Sequence, residues 1–171
     1  MSIELILFVF FALIAAASAV TMITRPNPIM SAIFLIINFF SLAGLYLVLN
    51  AQFISVVQVI VYAGAIMVLF LFVLMLLNTK SELKLLSGTN KLKVFAIIIA
   101  GVVFVQIAYL VFFASPSRNL SPDVAASIKA GTVEQIGREL YTNYIIPFEA
   151  AGFLLLATTI GALVLAKKKI E

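Results

Sequence analysis

Few side chains in this sequence can move a proton, hold a metal or attack a substrate. Among its 171 residues there is no histidine and no cysteine. Disulfides, thiolate or imidazole zinc sites, iron–sulfur clusters and the usual axial haem ligands are therefore excluded within this chain. No nucleophile–base pair or phosphate-binding glycine loop is present. Glu4 and Glu149 are the only acids inside long apolar segments, and both lie near segment ends. Glu149 follows Pro147 in what should be the first turn of the last apolar helix. There a carboxylate complements the helix dipole, and proton transfer is its other conceivable use. The one titratable candidate at mid-membrane is Tyr62, a phenol that carries protons poorly at neutral pH but can donate and accept hydrogen bonds and so hold water. Ionisable side chains at membrane depth mark ion paths. A pump working alone would need one here, so any catalysis must draw its key groups from partner subunits.

Tyr62 sits in the uncharged stretch VVQVIVYAGAIMVLFLFVLMLLN, Val56 to Asn78. At 100° per residue, Ser55, Gln58, Tyr62 and Ala65 share one stripe, continued by Leu69. Gly64 falls nearly opposite Ser55, so in a regular helix the tyrosine and the glycine cannot serve one interface. Ala63, Gly64 and Ala65 leave the backbone weakly shielded. Two readings stay open: close helix packing through small residues, or a π-bulge, for which glycine is the least costly residue. An inserted bulge residue turns the downstream half of a helix by about 100° relative to the upstream half.

The elements that carry these groups are membrane helices. The chain is 64% hydrophobic and 11% charged, with a mean hydropathy of +1.24. No soluble domain hides that much apolar surface. Crossing the hydrocarbon core takes about 20 apolar residues, and five segments qualify, about 3–23, 28–49, 53–77, 92–114 and 146–166. The fold class expected is an all-α integral membrane protein of five transmembrane helices, residues 1–171 forming one membrane domain. The first segment ends in an A-S-A-like stretch but carries Glu4 where a signal peptide would be basic, and it reads as a retained span. Arg25-Pro26-Asn27-Pro28 ends one helix and opens the next. Asn50-Ala51-Gln52 is so short a turn that the spans either side must be antiparallel neighbours. Span five carries Ala157 and Gly161 as a small-xxx-small packing pair.

With five spans, Arg25, Lys80, Lys84, Lys91, Lys93, Lys167, Lys168 and Lys169 all fall on one side, eight of the eleven basic residues. That asymmetry places the N-terminus outside and the C-terminus inside. The charge of +4 is thus a topology signal, and nucleic acid is not an expected partner. In the long loop 115–143, Thr132-Val133-Glu134-Gln135 fits a capping box, the threonine and glutamine satisfying each other's backbone donors. Val133, Ile136 and Leu140 then recur at helical spacing, with Glu134 and Arg138 four apart, which predicts a short amphipathic helix at the interface. No internal repeat of the secondary-transporter kind is visible.

The segment QVIVYAGAIMVLFLFVLMLLN resembles the third transmembrane helix of subunit J of the proton-translocating NADH–quinone oxidoreductase, respiratory complex I, and of its mitochondrially encoded counterpart, the sixth subunit. RPNPIMSAIFLIINFFSLAGLYLVLNAQF resembles that family's first loop and second helix. IGRELYTNYIIPFEAAGFLLLATTIGALVLA resembles its last loop and fifth helix, with the P-F-E triplet. The resemblance covers nearly the whole chain, span four and the 80–91 link being its least specific parts. It implies a π-bulge in helix three over Tyr62 to Met67, and a helix able to rotate between bulged and regular forms. It implies a place in the bilayer beside the quinone-site subunit and the small subunit that supplies membrane glutamates. Rotation would make or break a water chain from the quinone cavity to the antiporter-like subunits. Tyr62 would border that path with Gln58. Gly64, between Ala63 and Ala65, would permit the bulge; Met67 would close the motif; Val68 and Phe70 would move as the helix turns. Flavin, iron–sulfur clusters and quinone would be held by partner subunits, leaving no cofactor, metal or catalytic residue here, in a bacterial inner membrane. The competing classes are a small subunit of a multisubunit cation/proton antiporter or membrane-bound hydrogenase, and a purely structural membrane scaffold.

Overall fold

The computed structural model describes residues 3–77, 90–113 and 128–167, and every regular element among them is helical. α1 (Ile3–Thr24) runs 22 residues, about 33 Å at 1.5 Å per residue. Its last turn closes on itself, with the Thr21 hydroxyl donating to the Ala17 carbonyl at 2.7 Å and that of Thr24 to Val20 at 3.0 Å. Pro26 ends the helix. Asn27 then caps α2 (Pro28–Val48), its side-chain oxygen accepting the Ile29 N–H at 3.0 Å, with Pro28 in the first position.

The α1–α2 hairpin packs through small and polar residues, because apolar burial alone gives lipid-embedded helices no reason to associate. Ala15 and Ser18 of α1 and Ala32, Ser41 and Ala43 of α2 are buried. Asn38 donates to the Ala15 carbonyl at 2.7 Å and to the Ser18 hydroxyl at 3.2 Å. Ser31 ties the opposite end, donating to the Met22 carbonyl at 2.6 Å. Gly44 lies under the Phe11 ring so closely that a Cβ there would sit 2.6 Å from two ring carbons.

α2 ends in a Schellman turn. Asn50 takes a left-handed φ of 62°, Asn50 N–H bonds Leu47 O at 3.1 Å, and Ala51 N–H bonds Tyr46 O at 2.9 Å. The chain reverses there into a third long helix, Gln52–Leu76, 25 residues in three parts. These are α3 (Gln52–Val57), a π-helical segment (Gln58–Ile66) and α4 (Met67–Leu76), all packed on α2.

α5 (Asn90–Phe113) follows, then α6 (Val133–Thr142) and α7 (Ile145–Ala166). α1, α2, Gln52–Leu76 and α7 are each long and apolar enough to cross a membrane, and α5 contributes the shorter apolar run Val94–Leu110. The chain is a multi-pass membrane protein. The apolar run of α5 is exposed almost throughout, and α7 packs mainly on α6 among the described elements. A Cβ at Gly161, of the Ala157/Gly161 pair, would meet nothing within 4 Å. Lys80, Lys84, Lys168, Lys169 and most of the 80–91 link lie outside the described residues.

α6 corrects one expectation. Thr132 does cap it, accepting the Gln135 N–H at 3.4 Å. The Gln135 side chain does not reach back, however, and donates forward to the Glu139 carboxylate at 3.2 Å. The Thr132 N–H instead bonds the Lys129 carbonyl at 3.2 Å, so half of the capping box is replaced by the preceding turn.

Candidate functional site

In the third long helix, α-helical bonding persists to the Gln58 N–H, which reaches the Ile54 carbonyl, and gives way to i→i−5 bonding within Gln58–Ile66. It returns at Met67, whose N–H is shared between the carbonyls of Tyr62, five residues back, and Gly64. Nine residues, QVIVYAGAI, adopt this wider turn. The segment includes the small run Ala63, Gly64 and Ala65, glycine being the residue least costly to place where helical bonding departs from the regular pattern. A Cβ placed on Gly64 would come 3.3 Å from the Val59 carbonyl oxygen, five residues back, a contact tighter than most side chains accept.

The π turn re-sorts the faces of the helix. The buried positions are Ser55, Gln58, Ala63 and Met67, spaced three, five and four apart. The stripe expected of a regular helix ran from Gln58 to Tyr62 and Ala65, and this is corrected. The extra residue in the turn puts Ala63 and Met67 against α2, while Tyr62 and Ala65 lie exposed. Gly64 is half-buried.

Of the residues singled out by sequence, Ser55 and Gln58 come together on α2. The Ser55 hydroxyl donates to the Ala43 carbonyl at 2.7 Å. Gln58 is 8% exposed and makes no side-chain hydrogen bond to another described residue. None of its polar atoms is fully sealed, so its amide reaches the helix surface able to bond water or a partner group. Tyr62 keeps one edge on α2, its ring centroid 5.5 Å from that of Phe39, and is otherwise 44% exposed. Val68 is exposed to a similar extent. Phe70, with Leu74, lines a cavity of about 220 Å³ against Met22, Ser31, Ala32 and Leu35.

Glu149 stands apart from this group. α7 begins at Ile145, two residues ahead of Pro147, because a proline costs no hydrogen bond within the first turn. Glu149 is therefore past the first turn, where the dipole has largely faded, which corrects its reading as a first-turn carboxylate. It is exposed and borders an open cavity of about 400 Å³ with Gly152, Phe153 and Leu156. Glu4 occupies the first turn of α1, also exposed. No group of three or more acids that could hold a metal occurs among the described residues.

Sequence reasoning passed over two contributors. Asn38 is a polar residue in the middle of α2, and its position deep in an apolar run was the available signal. Gly131 is the other. Its carbonyl accepts the Phe53 N–H of α3 at 3.2 Å, which no spacing rule relates to so distant a residue.

Residues 18–165 match the sequence pattern of the family described as NADH-ubiquinone/plastoquinone oxidoreductase chain 6. The chain is 37% identical over 164 residues to NAD(P)H-quinone oxidoreductase subunit 6 of the organellar chromatophore of Paulinella chromatophora, an alignment covering 95% of this chain and 78% of the relative. It is 38% identical over 169 residues to NADH-ubiquinone oxidoreductase chain 6 of Cyanidium caldarium, covering 95% and 84%. With NADH-quinone oxidoreductase subunit J of Rickettsia conorii it shares 30% identity over 168 residues, covering 97% and 82%.

Proposed function

Because the chain belongs to the NADH-ubiquinone/plastoquinone oxidoreductase chain 6 family, we propose that it is a non-catalytic membrane subunit of complex I that helps couple quinone reduction to proton translocation. The observation that carries this reading is the π-helical segment Gln58–Ile66. A π turn converts to an α turn by shifting hydrogen bonds from i→i−5 to i→i−4, and the downstream helix then turns by about 100°. Val68 and Phe70 would move with α4, and Phe70 would leave or enter the cavity that it now lines with Leu74. Gln58 and Tyr62, whose polar groups reach the surface of the same helix, would hold one end of a water chain that the turn makes or breaks.

The partners under this reading are the quinone-site subunit and the small glutamate-bearing subunit, with flavin, iron–sulfur clusters and quinone held elsewhere in the complex. The exposed apolar faces of α5 and α7 support extensive contact with other subunits or lipid. Five crossings, with the N-terminus outside in a bacterial inner membrane, complete the reading. The bond between Gly131 and Phe53 supports the fifth crossing, since it brings the loop before α7 to the same end as the α2–α3 turn, as a return of the chain through α5 would.

Co-purification tests the assignment. A tagged chain should emerge with flavin and iron–sulfur subunits and NADH–quinone activity. Recovery with antiporter subunits alone would overturn it.

A further inference from the structure

α3 opens with an uncapped end. Its N-cap residue is Ala51, which supplies no side-chain acceptor, although the first N–H groups of any helix need partners from outside. Phe53 finds its partner in the Gly131 carbonyl, 3.2 Å away. This is backbone docked on backbone. A Cβ at Gly131 would overlap the Asn50 carbonyl oxygen, and would stand 2.9 Å from its carbon and 3.2 Å from the Ala51 Cα. Only glycine fits.

Both sides of this contact are rigid. The Schellman turn at Asn50 fixes the donor side, the chain that leads into Phe53 and whose Asn50 carbonyl packs against Gly131. On the other side, the Thr132 N–H and hydroxyl both bond the Lys129 carbonyl, at 3.2 and 2.8 Å, and Thr132 also caps α6. A second tie holds the same half of the long helix, the Ser55 hydroxyl on the Ala43 carbonyl at 2.7 Å. Beyond the π segment no polar tie joins α4 to a described neighbour, and its only buried residue is Met67.

We propose that Gly131 anchors the N-terminal half of the third long helix, so that the π-to-α turn is confined to α4. This inference rests on the gating function above. If the whole helix swivelled freely, converting the π segment could be absorbed at either end and would not reliably re-aim Val68 and Phe70. A clamped upstream half leaves the downstream half as the only part that turns. Gly131 is thus a positioning residue, acting through the helix it holds.

The test uses the intact complex in vesicles, comparing Gly131→Ala with Gly137→Ala, a nearby glycine whose added Cβ meets nothing within 4 Å. Hydrogen–deuterium exchange of the segment 49–57 and the proton-to-electron ratio are both read. The expected result for Gly131→Ala is exchange at Phe53 accelerated at least tenfold and a lowered ratio with NADH–quinone turnover retained; Gly137→Ala should match wild type in both. Unchanged exchange at Phe53 overturns the anchor. Accelerated exchange with an unchanged ratio overturns the role of Gly131 in coupling and leaves the gating function to its own test, in which an unchanged ratio in Gly64→Val overturns gating itself. If Gly131→Ala does not assemble, Thr132→Val loosens the turn without adding atoms to the contact, and the same two readouts decide.

Discussion

The sharpest perturbation of the π segment is at Gly64. A Cβ there lies 3.3 Å from the Val59 carbonyl oxygen, five residues back across the π turn. Gly64→Ala forces this oxygen to yield by a few tenths of an ångström, while alanine also removes glycine's conformational freedom in a helix, worth about 1 kcal/mol. Gly64→Val adds two branch carbons beside the same carbonyl, so the π form should lose about 1–2 kcal/mol relative to the α form. A loss of that size shifts a two-state population about 5- to 30-fold. The helix would then be held in the α form, and α4 would no longer alternate. The assay reconstitutes the complex in vesicles and follows NADH–quinone turnover, the proton-to-electron ratio and the assembled yield together. The expected order of effect on the ratio is wild type, alanine, then valine, with yield nearly constant. Parallel loss of yield and proton transport in the valine variant would refute the reasoning, since close packing alone predicts it. Wild-type behaviour in both variants would show that the π turn has no part in coupling.

Tyr62→Phe keeps the ring against Phe39 and removes only the hydroxyl. Assembly should be unchanged and proton transport slowed several-fold, and an unchanged rate removes Tyr62 from the water path. Asn38→Leu deletes the hydrogen bonds to Ala15 and Ser18, which should cost about 0.6–2 kcal/mol and lower the thermal stability of the purified complex without altering its proton-to-electron ratio. Gly44→Leu drives a side chain into the Phe11 ring, which should cost about 1–3 kcal/mol and reduce the amount of this chain in the assembled membrane arm, measured by quantitative blotting.

The all-helical membrane class was legible because it follows from local rules. Long uncharged runs must be helical in lipid, where every backbone group needs an internal partner. Pro26 and Pro28 punctuate α1 and α2 through their fixed φ and missing N–H. The site was legible in part. Gln58, Tyr62 and Gly64 stood out as polar or small residues in an apolar helix, and the family resemblance led to a π turn there. Which face each occupies was not legible, because a 100° wheel assumes the very hydrogen-bond pattern that the π segment abandons. Glu149 was misjudged for a similar reason: the start of α7 depends on how many residues ahead of Pro147 can join the helix.

What the sequence by itself determined, then, is everything set by neighbours along the chain: helix content, breaks at proline, caps at Asn27 and Thr132, and the small-residue weakness at Ala63 to Ala65. Tertiary structure decided the rest. Ala63 and Met67, not Tyr62 and Ala65, are the residues buried in this part of the helix; Asn38 reaches across to Ala15; and the Gly131 carbonyl completes a helix that begins far upstream at Gln52. Such contacts join residues distant in sequence, and their energies depend on how two backbones approach in space. No periodicity within one segment encodes that approach.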